Sequence, residues 1–214
     1  MLDRRSFVMS ALSFSGFVLG GCSSEDDGVT SSGRVSPDEL MAEQALPDMA
    51  TGNPMAPVTV VEYASMTCGF CRRFHLETYA DIKEAFVDTG RVRFVVREFP
   101  FDPRATAAAM LIRCTPETRR DAMTDVLYEK QSDWARAENG QQALFDIARL
   151  AGFTQEEFRA CLTDQDLLYK VKTVARAGQD YGVDSTPTFF VNGERYPGHK
   201  TVEEMTAILE TAGA

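Results

Sequence analysis

Residues 58–71 decide the fold and read Val58-Thr-Val-Val-Glu62-Tyr-Ala64-Ser-Met-Thr-Cys68-Gly-Phe-Cys71. The first seven residues form a short apolar run rich in β-branched side chains, which predicts a buried strand. After Cys71 the apolar residues recur at helical spacing as far as Gly90, where a helix is expected to end. The two cysteines therefore lie where a strand passes into a helix.

A second strand and a long helical block follow this unit. Residues 92–99 predict the strand, and Pro100 stops it because proline has no N–H to donate to a sheet. Residues 102–182 carry almost only helical signals, including a capping box at Thr154-Gln-Glu-Glu157. A strand–helix–strand unit implies a parallel pair of strands, and the helical block interrupts the sheet that this pair begins.

The end of the chain predicts a hairpin and a helix. Asn192-Gly193 suits a type I′ turn and separates two strand-like runs, Thr188-Phe-Phe-Val191 and Glu194-Arg-Tyr196. Thr201-Val-Glu-Glu204 is a capping box for a last helix. The inner face of this helix would hold Val202, Met205, Ile208, Leu209 and Ala212. We therefore expect an α/β fold whose sheet the hairpin extends in the antiparallel sense.

Composition and charge narrow the classes of function. The chain has 214 residues, of which 44% are hydrophobic and 10% aromatic, as in a folded globular protein. Its formal net charge is −10 and it has no run of Lys or Arg, so nucleic acid is not an expected partner. Two histidines, His75 and His199, are too few for a site with three His ligands. No metal and no cofactor are expected.

The first 21 residues resemble an export signal. Basic Arg4-Arg5 precede an apolar stretch, residues 7–20, which is shorter than the about 20 residues that span a bilayer. Leu19-Gly20-Gly21-Cys22 resembles a bacterial lipobox, so we expect cleavage before Cys22 and its lipidation; an ordinary cleaved signal is the alternative. Arg4-Arg5-Ser6-Phe7-Val8 also resembles a twin-arginine signal. These patterns predict a lipid-anchored protein of the bacterial cell envelope or periplasm.

The remaining chain divides into a tether and a folded body. Residues 22–50 are expected to form a flexible tether and a short helix: residues 23–36 are rich in Ser, Gly and Asp, and Ser36-Pro37-Asp38-Glu39 suits a helix start. Because a lipid alone would hold the protein at the membrane, the body needs no membrane-binding surface. The expected parts of the body are 51–101 and 183–214 for the sheet domain and 102–182 for the helical insertion.

Cys68 and Cys71 carry the predicted chemistry. Backbone N–H groups are unpaired at a helix start and the helix dipole is positive there, so a thiolate at Cys68 is stabilised. We therefore assign Cys68 as the nucleophile with a lowered pKa, and Cys71 as the thiol that closes the ring and releases a mixed disulfide. The alternatives are a plain disulfide or half of a zinc site, but a four-thiolate site needs a second Cys-x-x-Cys, which the sequence lacks.

Two separated motifs resemble the DsbA-like branch of the thioredoxin superfamily: Glu62-Tyr-Ala-Ser-Met-Thr-Cys68-Gly-Phe-Cys71 and Ser185-Thr186-Pro187-Thr188-Phe-Phe-Val-Asn-Gly193. The resemblance covers residues 50–214 and includes a helical insertion of the expected size. It implies a thioredoxin-like sheet with an inserted helical domain. It also implies that Pro187 follows a cis peptide bond and that Thr186 and Pro187 bind the substrate backbone by strand addition.

Glu62 is a carboxylate inside a predicted central strand. If it were ionised and unpaired it would cost several kcal/mol there, so it should be neutral, hydrated or functional. Related oxidoreductases carry a buried acid at this distance before the first cysteine, and we assign Glu62 proton exchange with Cys71 as a general base. A Glu that faces water on an edge strand is the alternative.

Phe70 occupies the place where strongly oxidising members of the family have a histidine. A phenyl ring cannot donate a hydrogen bond to the Cys68 thiolate, so we expect this thiolate to be less stabilised than that of DsbA, whose pKa is about 3.5. The reduction potential should then lie below DsbA's value of about −120 mV.

Cys114 and Cys161 lie within the helical block. In an oxidising compartment they are expected to form a structural disulfide, worth roughly 4 kcal/mol in the chain-entropy model. This pairing accounts for all five cysteines: one lipidated, two redox-active and two structural. Two buried free thiols are the alternative. Of the histidines, His75 is expected on a helix surface and His199 in solvent.

The predicted function is an envelope thiol–disulfide oxidoreductase that introduces disulfides into exported proteins. Its partners would be reduced or misoxidised exported proteins and a membrane redox partner that resets the cysteine pair. The same pair could instead act as a reductase or isomerase, which Thr186 favours because reducing relatives share it. Two other classes are open: a copper-binding thioredoxin-like module, whose sites resemble Cys-x-x-x-Cys, and a redox-inert adaptor.

Overall fold

A mixed sheet forms the centre of the protein, which the computed structural model describes over residues 29–214. Its strands are β1 (Met49–Thr51), β2 (Val58–Ala64), β3 (Val92–Glu98), β4 (Thr188–Val191) and β5 (Glu194–Pro197). They lie in the order β1-β3-β2-β4-β5. β2 and β3 run parallel, and the other neighbouring strands run antiparallel, which confirms the predicted parallel pair and hairpin.

The predicted turn and last helix are both present. Asn192 and Gly193 join β4 to β5 with positive φ angles of 47° and 90°, as a two-residue type I′ turn requires. Helix α10 (Val202–Thr211) begins with a capping box between Thr201 and Glu204. Its inner face buries Met205, Ile208 and Leu209 against the sheet.

One helical segment, residues 69–87, follows β2 and carries the cysteine pair at its start. Its α-helical turns are α2 (Gly69–Arg73) and α3 (Tyr79–Ile82), and its π-helical turns are Phe74–Thr78 and Lys83–Val87. Phe74, Ile82 and Phe86 are buried against the sheet. This packing fixes the start of the segment relative to the strand that precedes it.

A helical insertion separates β3 from β4. Its helices are α4 (Pro103–Cys114), α5 (Arg120–Glu129), α6 (Gln131–Ala135), α7 (Gly140–Leu150), α8 (Gln155–Thr163) and α9 (Gln165–Asp180). Asp102 caps α4, and Thr154 opens α8 with the predicted capping box. The architecture is the expected α/β fold class, a sheet with an inserted helical domain.

The insertion packs against the turn that carries the cysteines. Tyr128 of α5 belongs to the same buried apolar cluster as Cys68 and Cys71. Cys114 and Cys161 form the predicted disulfide, which links α4 to α8 with Cα atoms 6.1 Å apart. The alternative of two buried free thiols is therefore wrong.

The end of the predicted tether lies along the edge of the sheet. The N–H groups of Ser32 and Val35 donate to the carbonyl oxygens of Arg195 and Gly193, at 2.8 and 2.9 Å. A flexible tether is therefore wrong for residues 32–35, because backbone pairing beside β5 orders them.

The short helix that follows begins as predicted, at Ser36, whose side chain caps α1 (Pro37–Leu40). Residues 1–28 lie outside the described chain, so the export signal and the lipidation of Cys22 stay predictions. Within residues 29–214, no helix is both long and apolar enough to cross a bilayer.

Candidate active site

Cys68 lies at the N-cap position of α2, directly after β2 and its short turn. Its pKa is lowered to about 5, first by a hydrogen bond from the Cys71 thiol and also by the Thr186 side chain and the backbone N–H groups of Phe70 and Cys71; partial burial opposes them. The two backbone donors are the unpaired N–H groups of a helix start. Cys68 is therefore a thiolate at neutral pH, as the sequence predicts.

Cys71 lies behind Cys68 and is fully buried. Burial raises its pKa well above the usual value, and the hydrogen bond to Cys68 and the charge of Glu62 add to the rise. The two thiols are thus differentiated: the outer one ionises easily and the inner one holds its proton. This difference is what a nucleophile and a resolving thiol require.

The loop before β4 contacts the nucleophile. Cys68 Sγ lies 3.2 Å from the carbonyl oxygen of Thr186. The peptide bond between Thr186 and Pro187 is cis, as the family resemblance implies. The structure therefore brings together the two motifs that are more than a hundred residues apart in the sequence, and it leaves the backbone of this loop beside the reactive sulfur.

Glu62 lies on β2, a central strand, and is 6% exposed. Within the described residues its carboxylate forms no hydrogen bond and no ion pair. Burial, and secondarily the charge of Cys68, raise its pKa to about 8. The alternative of a water-facing glutamate on an edge strand is wrong, and the group is available to accept or donate a proton near neutral pH.

A cavity of about 150 Å³ opens on Glu62 and reaches the contact between the two domains. His75 and Asp125 line it on the outer side, where His75 Nε2 lies 2.7 Å from Asp125 Oδ1. The His75 ring packs 4.8 Å from that of Tyr128. His75 was expected on a helix surface; its side chain is only 18% exposed because the insertion covers it.

Two residues of the insertion belong to the site although no pattern in the sequence identifies them. Gln131 is buried and donates from Nε2 to the carbonyl oxygens of Met66 and Cys68, at 2.9 and 3.0 Å. Tyr128 is buried and its pKa is raised well above the usual value by burial, then by the charges of Cys71 and Glu62. Both contacts span some sixty positions of sequence, and only the packing of the insertion creates them.

Phe70 lies between the cysteines and is 58% exposed. Its ring contacts the Arg73 guanidinium, 5.8 Å from the ring centre, and offers no donor to Cys68. The expectation of a thiolate less stabilised than that of DsbA stays a prediction. His199 was expected in solvent; instead its Nε2 is buried without a hydrogen-bond partner among the described residues.

Comparison with known proteins identifies the family to which the chain belongs. The profile of a thioredoxin family matches residues 44–211. A Rickettsia conorii protein named "Putative protein-disulfide oxidoreductase" is 32% identical over 170 residues, which are 77% of this chain and 60% of that protein. The chain thus spans about three fifths of the length of this curated relative.

Two solved structures have the same fold as this chain. Wolbachia pipientis alpha-DsbA1 is 28% identical with a TM-score of 0.74, and the match covers 83% of this chain and 96% of that one. BdbD from Bacillus subtilis, 22% identical with a TM-score of 0.68 over 87% of this chain and 98% of that one, shows the same fold.

The fold and the family match together define a member of the thioredoxin superfamily with two cysteines, Cys68 and Cys71, at a helix start. The chain belongs to the thioredoxin family, and within it the resemblance to the DsbA-like thiol–disulfide oxidoreductases is confirmed.

Proposed function

We propose that the protein is a thiol–disulfide oxidoreductase of the bacterial envelope that introduces disulfides into exported proteins. One observation carries the proposal: the thiolate-forming sulfur of Cys68 lies at a helix start, beside the Thr186 carbonyl, with the protonated thiol of Cys71 behind it. The names of the relatives, a protein-disulfide oxidoreductase and a DsbA, support the same chemistry.

The reaction begins from the oxidised pair. A client thiolate attacks Cys68 Sγ, the Cys68–Cys71 disulfide breaks, and Cys71 leaves as a thiolate. The high pKa of Cys71 means that it takes up a proton, which Glu62 supplies in its neutral form. A second client thiolate then attacks the client's own sulfur in the mixed disulfide. Cys68 leaves as a stable thiolate, so two electrons have passed from the client to the pair.

The client is held by the loop before β4. The Thr186 backbone lies beside Cys68, and an extended client segment can pair with Thr186 and Pro187 as an added strand. Such pairing uses hydrogen bonds to the main chain of the client and does not depend on its side chains. Many different exported proteins could therefore bind at this loop. A membrane redox partner would reoxidise the pair, and lipidated Cys22 would keep the protein in the envelope near that partner.

The direction of the reaction has a second candidate. The lowered pKa of Cys68 favours the oxidase direction, because a stable thiolate makes the reduced form the lower-energy product. Phe70 favours the reductase or isomerase direction, since it offers no hydrogen bond to stabilise that thiolate. A reductase or isomerase with the same pair is therefore the alternative.

Refolding of a reduced and of a scrambled ribonuclease in a glutathione buffer tests the proposal. An oxidase accelerates recovery from the reduced substrate about tenfold more than from the scrambled one, and an isomerase shows the reverse. Cys68→Ser should abolish both activities, and Thr211→Ala, at an exposed position on α10 away from the site, should change neither. Equal rates for Cys68→Ser and the wild type would contradict the proposal.

The role of Glu62 is tested by Glu62→Gln. Because the amide cannot exchange a proton with Cys71, we expect the first step, reduction of the Cys68–Cys71 disulfide by a dithiol peptide, to slow at least about tenfold at pH 7. The wild-type rate should also change with pH near 8, and that change should vanish in Glu62→Gln. A variant with the wild-type rate and pH profile would leave Glu62 without this role.

A further inference from the structure

A second surface beside Cys68 is positively charged, although the chain as a whole is acidic. A groove of about 800 Å³ lies between the start of α2 and the insertion. Thr67 and Gly69, on either side of Cys68, form one wall, and the segment around Phe101 and the end of α6 form the other. Thr186 does not line it, so this surface is separate from the loop that faces the client backbone.

Three arginines line this groove: Arg72, Arg104 and Arg136. Arg72 Nε donates to the Tyr128 carbonyl at 3.0 Å, and Arg104 donates to insertion carbonyls, including that of Ala135 at 2.7 Å. These bonds hold two of the cations in place without neutralising them. No carboxylate in residues 29–214 forms an ion pair with any of the three.

One acidic residue, Asp102, also lines the groove, but its carboxylate is already occupied. Its oxygens accept from the Thr67 hydroxyl and from the N–H groups of Arg104 and Ala105, the latter two at 2.8 Å. Asp102 therefore acts as the cap of α4. The groove keeps an excess of positive charge in a chain whose net charge is −10.

The groove also has an apolar wall. Phe101 is 62% exposed at its edge, although large apolar side chains are otherwise mostly buried in this fold. A cationic surface with an aromatic wall next to a nucleophilic sulfur suits a polypeptide segment with acidic and apolar side chains. It does not suit a basic segment, which the arginines would repel.

We propose that this arginine groove selects client segments that carry an acidic side chain within a few residues of the reactive cysteine. The inference rests on the proposed function, because it names the class of client that reaches Cys68. Since both attraction and orientation depend on charge, the preference should act mainly on the association rate and weaken with salt.

The test uses the oxidised protein and three single-cysteine peptides that differ only in the residues flanking cysteine: Asp, Asn or Lys. Stopped-flow measurement gives the rate of mixed-disulfide formation at low salt and in 0.5 M NaCl. Each rate is divided by the rate of the same peptide with hydroxyethyl disulfide, which removes the effect of the flanking charges on the peptide's own thiol. We expect the Asp peptide to react about three- to tenfold faster than the Asn peptide at low salt, and the ratio to approach one in high salt.

Variants locate the effect. Arg136→Ser should lower the Asp-to-Asn ratio about two- to threefold, and Arg136→Glu, which leaves two cations and two anions in the groove, should bring the Asp-to-Lys ratio close to one. Arg149→Ser, an exposed arginine on α7 outside the groove, should leave the ratio unchanged. Equal normalised rates for all three peptides would overturn the groove proposal alone. Failure of every peptide to react at Cys68 would overturn both this inference and the proposed function.

Discussion

Glu62 and Val96 occupy the same register position of the parallel pair β2 and β3. On the other side of Glu62 the register partner is Phe189 of β4. The carboxyl group thus sits between two apolar neighbours in the middle of the sheet, and neither offers a counter-charge. Burial consequently raises the pKa of Glu62. Ionising this carboxyl group is therefore costly, at a position close enough to Cys68 and Cys71 to influence their charges.

Glu62 should make the folded protein less stable as the pH rises. Its pKa is about 8 in the fold against 4.5 as the usual value, so between these values the unfolded chain binds fewer protons than the folded one. The free energy of unfolding therefore falls across this range, by up to about 5 kcal/mol from Glu62 alone. Urea unfolding of the oxidised protein between pH 4.5 and 8.5 measures the slope.

Two variants give the controls for this slope. Glu62→Gln should flatten it and make the variant several kcal/mol more stable than the wild type at pH 8.5. Glu210→Gln, at an exposed position on α10, should keep the wild-type slope. A Glu62→Gln curve parallel to that of the wild type would show that the carboxyl is not protonated in the fold.

Phe70→His should make the protein more oxidising. A histidine next to Cys71 can donate a hydrogen bond to the Cys68 thiolate, and we expect the pKa of Cys68 to fall by about one from its value near 5. One pKa unit corresponds to about 30 mV in a two-electron couple, so the reduction potential should rise by about that amount. Thiolate absorbance at 240 nm and a glutathione titration measure the two quantities.

The wild-type potential is itself a prediction: it should lie below DsbA's value of about −120 mV. Phe70→Leu, which keeps an apolar side chain, should leave both the pKa and the potential near the wild-type values. A wild-type potential at or above that of DsbA would contradict the account of Phe70.

The disulfide between Cys114 and Cys161 should act on stability and not on the redox pair. Replacing both by Ala, in a Cys68→Ala/Cys71→Ala background that leaves no other disulfide in residues 29–214, should cost about 2–5 kcal/mol in urea unfolding. In the chain with its redox pair intact, the pKa of Cys68 should stay unchanged. A shift of that pKa by a full unit would mean that the disulfide positions the active site.

Gln131 should matter for the turn that carries Cys68. Gln131→Leu removes two buried hydrogen bonds: the Met66 carbonyl loses its partner, and the Cys68 carbonyl keeps only the bond from the Arg72 N–H, so we expect a cost of about 1–3 kcal/mol. Gln142→Leu, at an exposed position on α7, is the matched change and should cost well under 1 kcal/mol. Equal stabilities for the two variants would show that water replaces Gln131 without loss.

Local signals made much of the fold predictable. The β-branched run of β2, the capping boxes at Thr154 and Thr201, and the Asn192-Gly193 turn each act within a few residues, and the structure contains all of them. The positions of Cys68 and Cys71 at a helix start follow from the same local patterns. Their assigned roles rest on that placement.

Other contacts, which join distant parts of the sequence and carry no motif, were not predictable. β1 has three residues, too few to show an alternation, and it forms because β3 offers an edge for it. Tyr128 and Gln131 resemble ordinary helix residues until the insertion folds over the active-site turn. Likewise residues 32–35 have the composition of a linker, and the open edge of β5 makes them part of the sheet.

That last contact bears on which neighbours the protein can accept. Because its own residues 32–35 occupy the outer side of β5, a foreign chain cannot extend the sheet there without first displacing them. Under the proposed function, a client backbone is therefore expected to pair with the loop at Thr186, and the covered edge of β5 is expected to leave unfolded polypeptides no second place to add a strand.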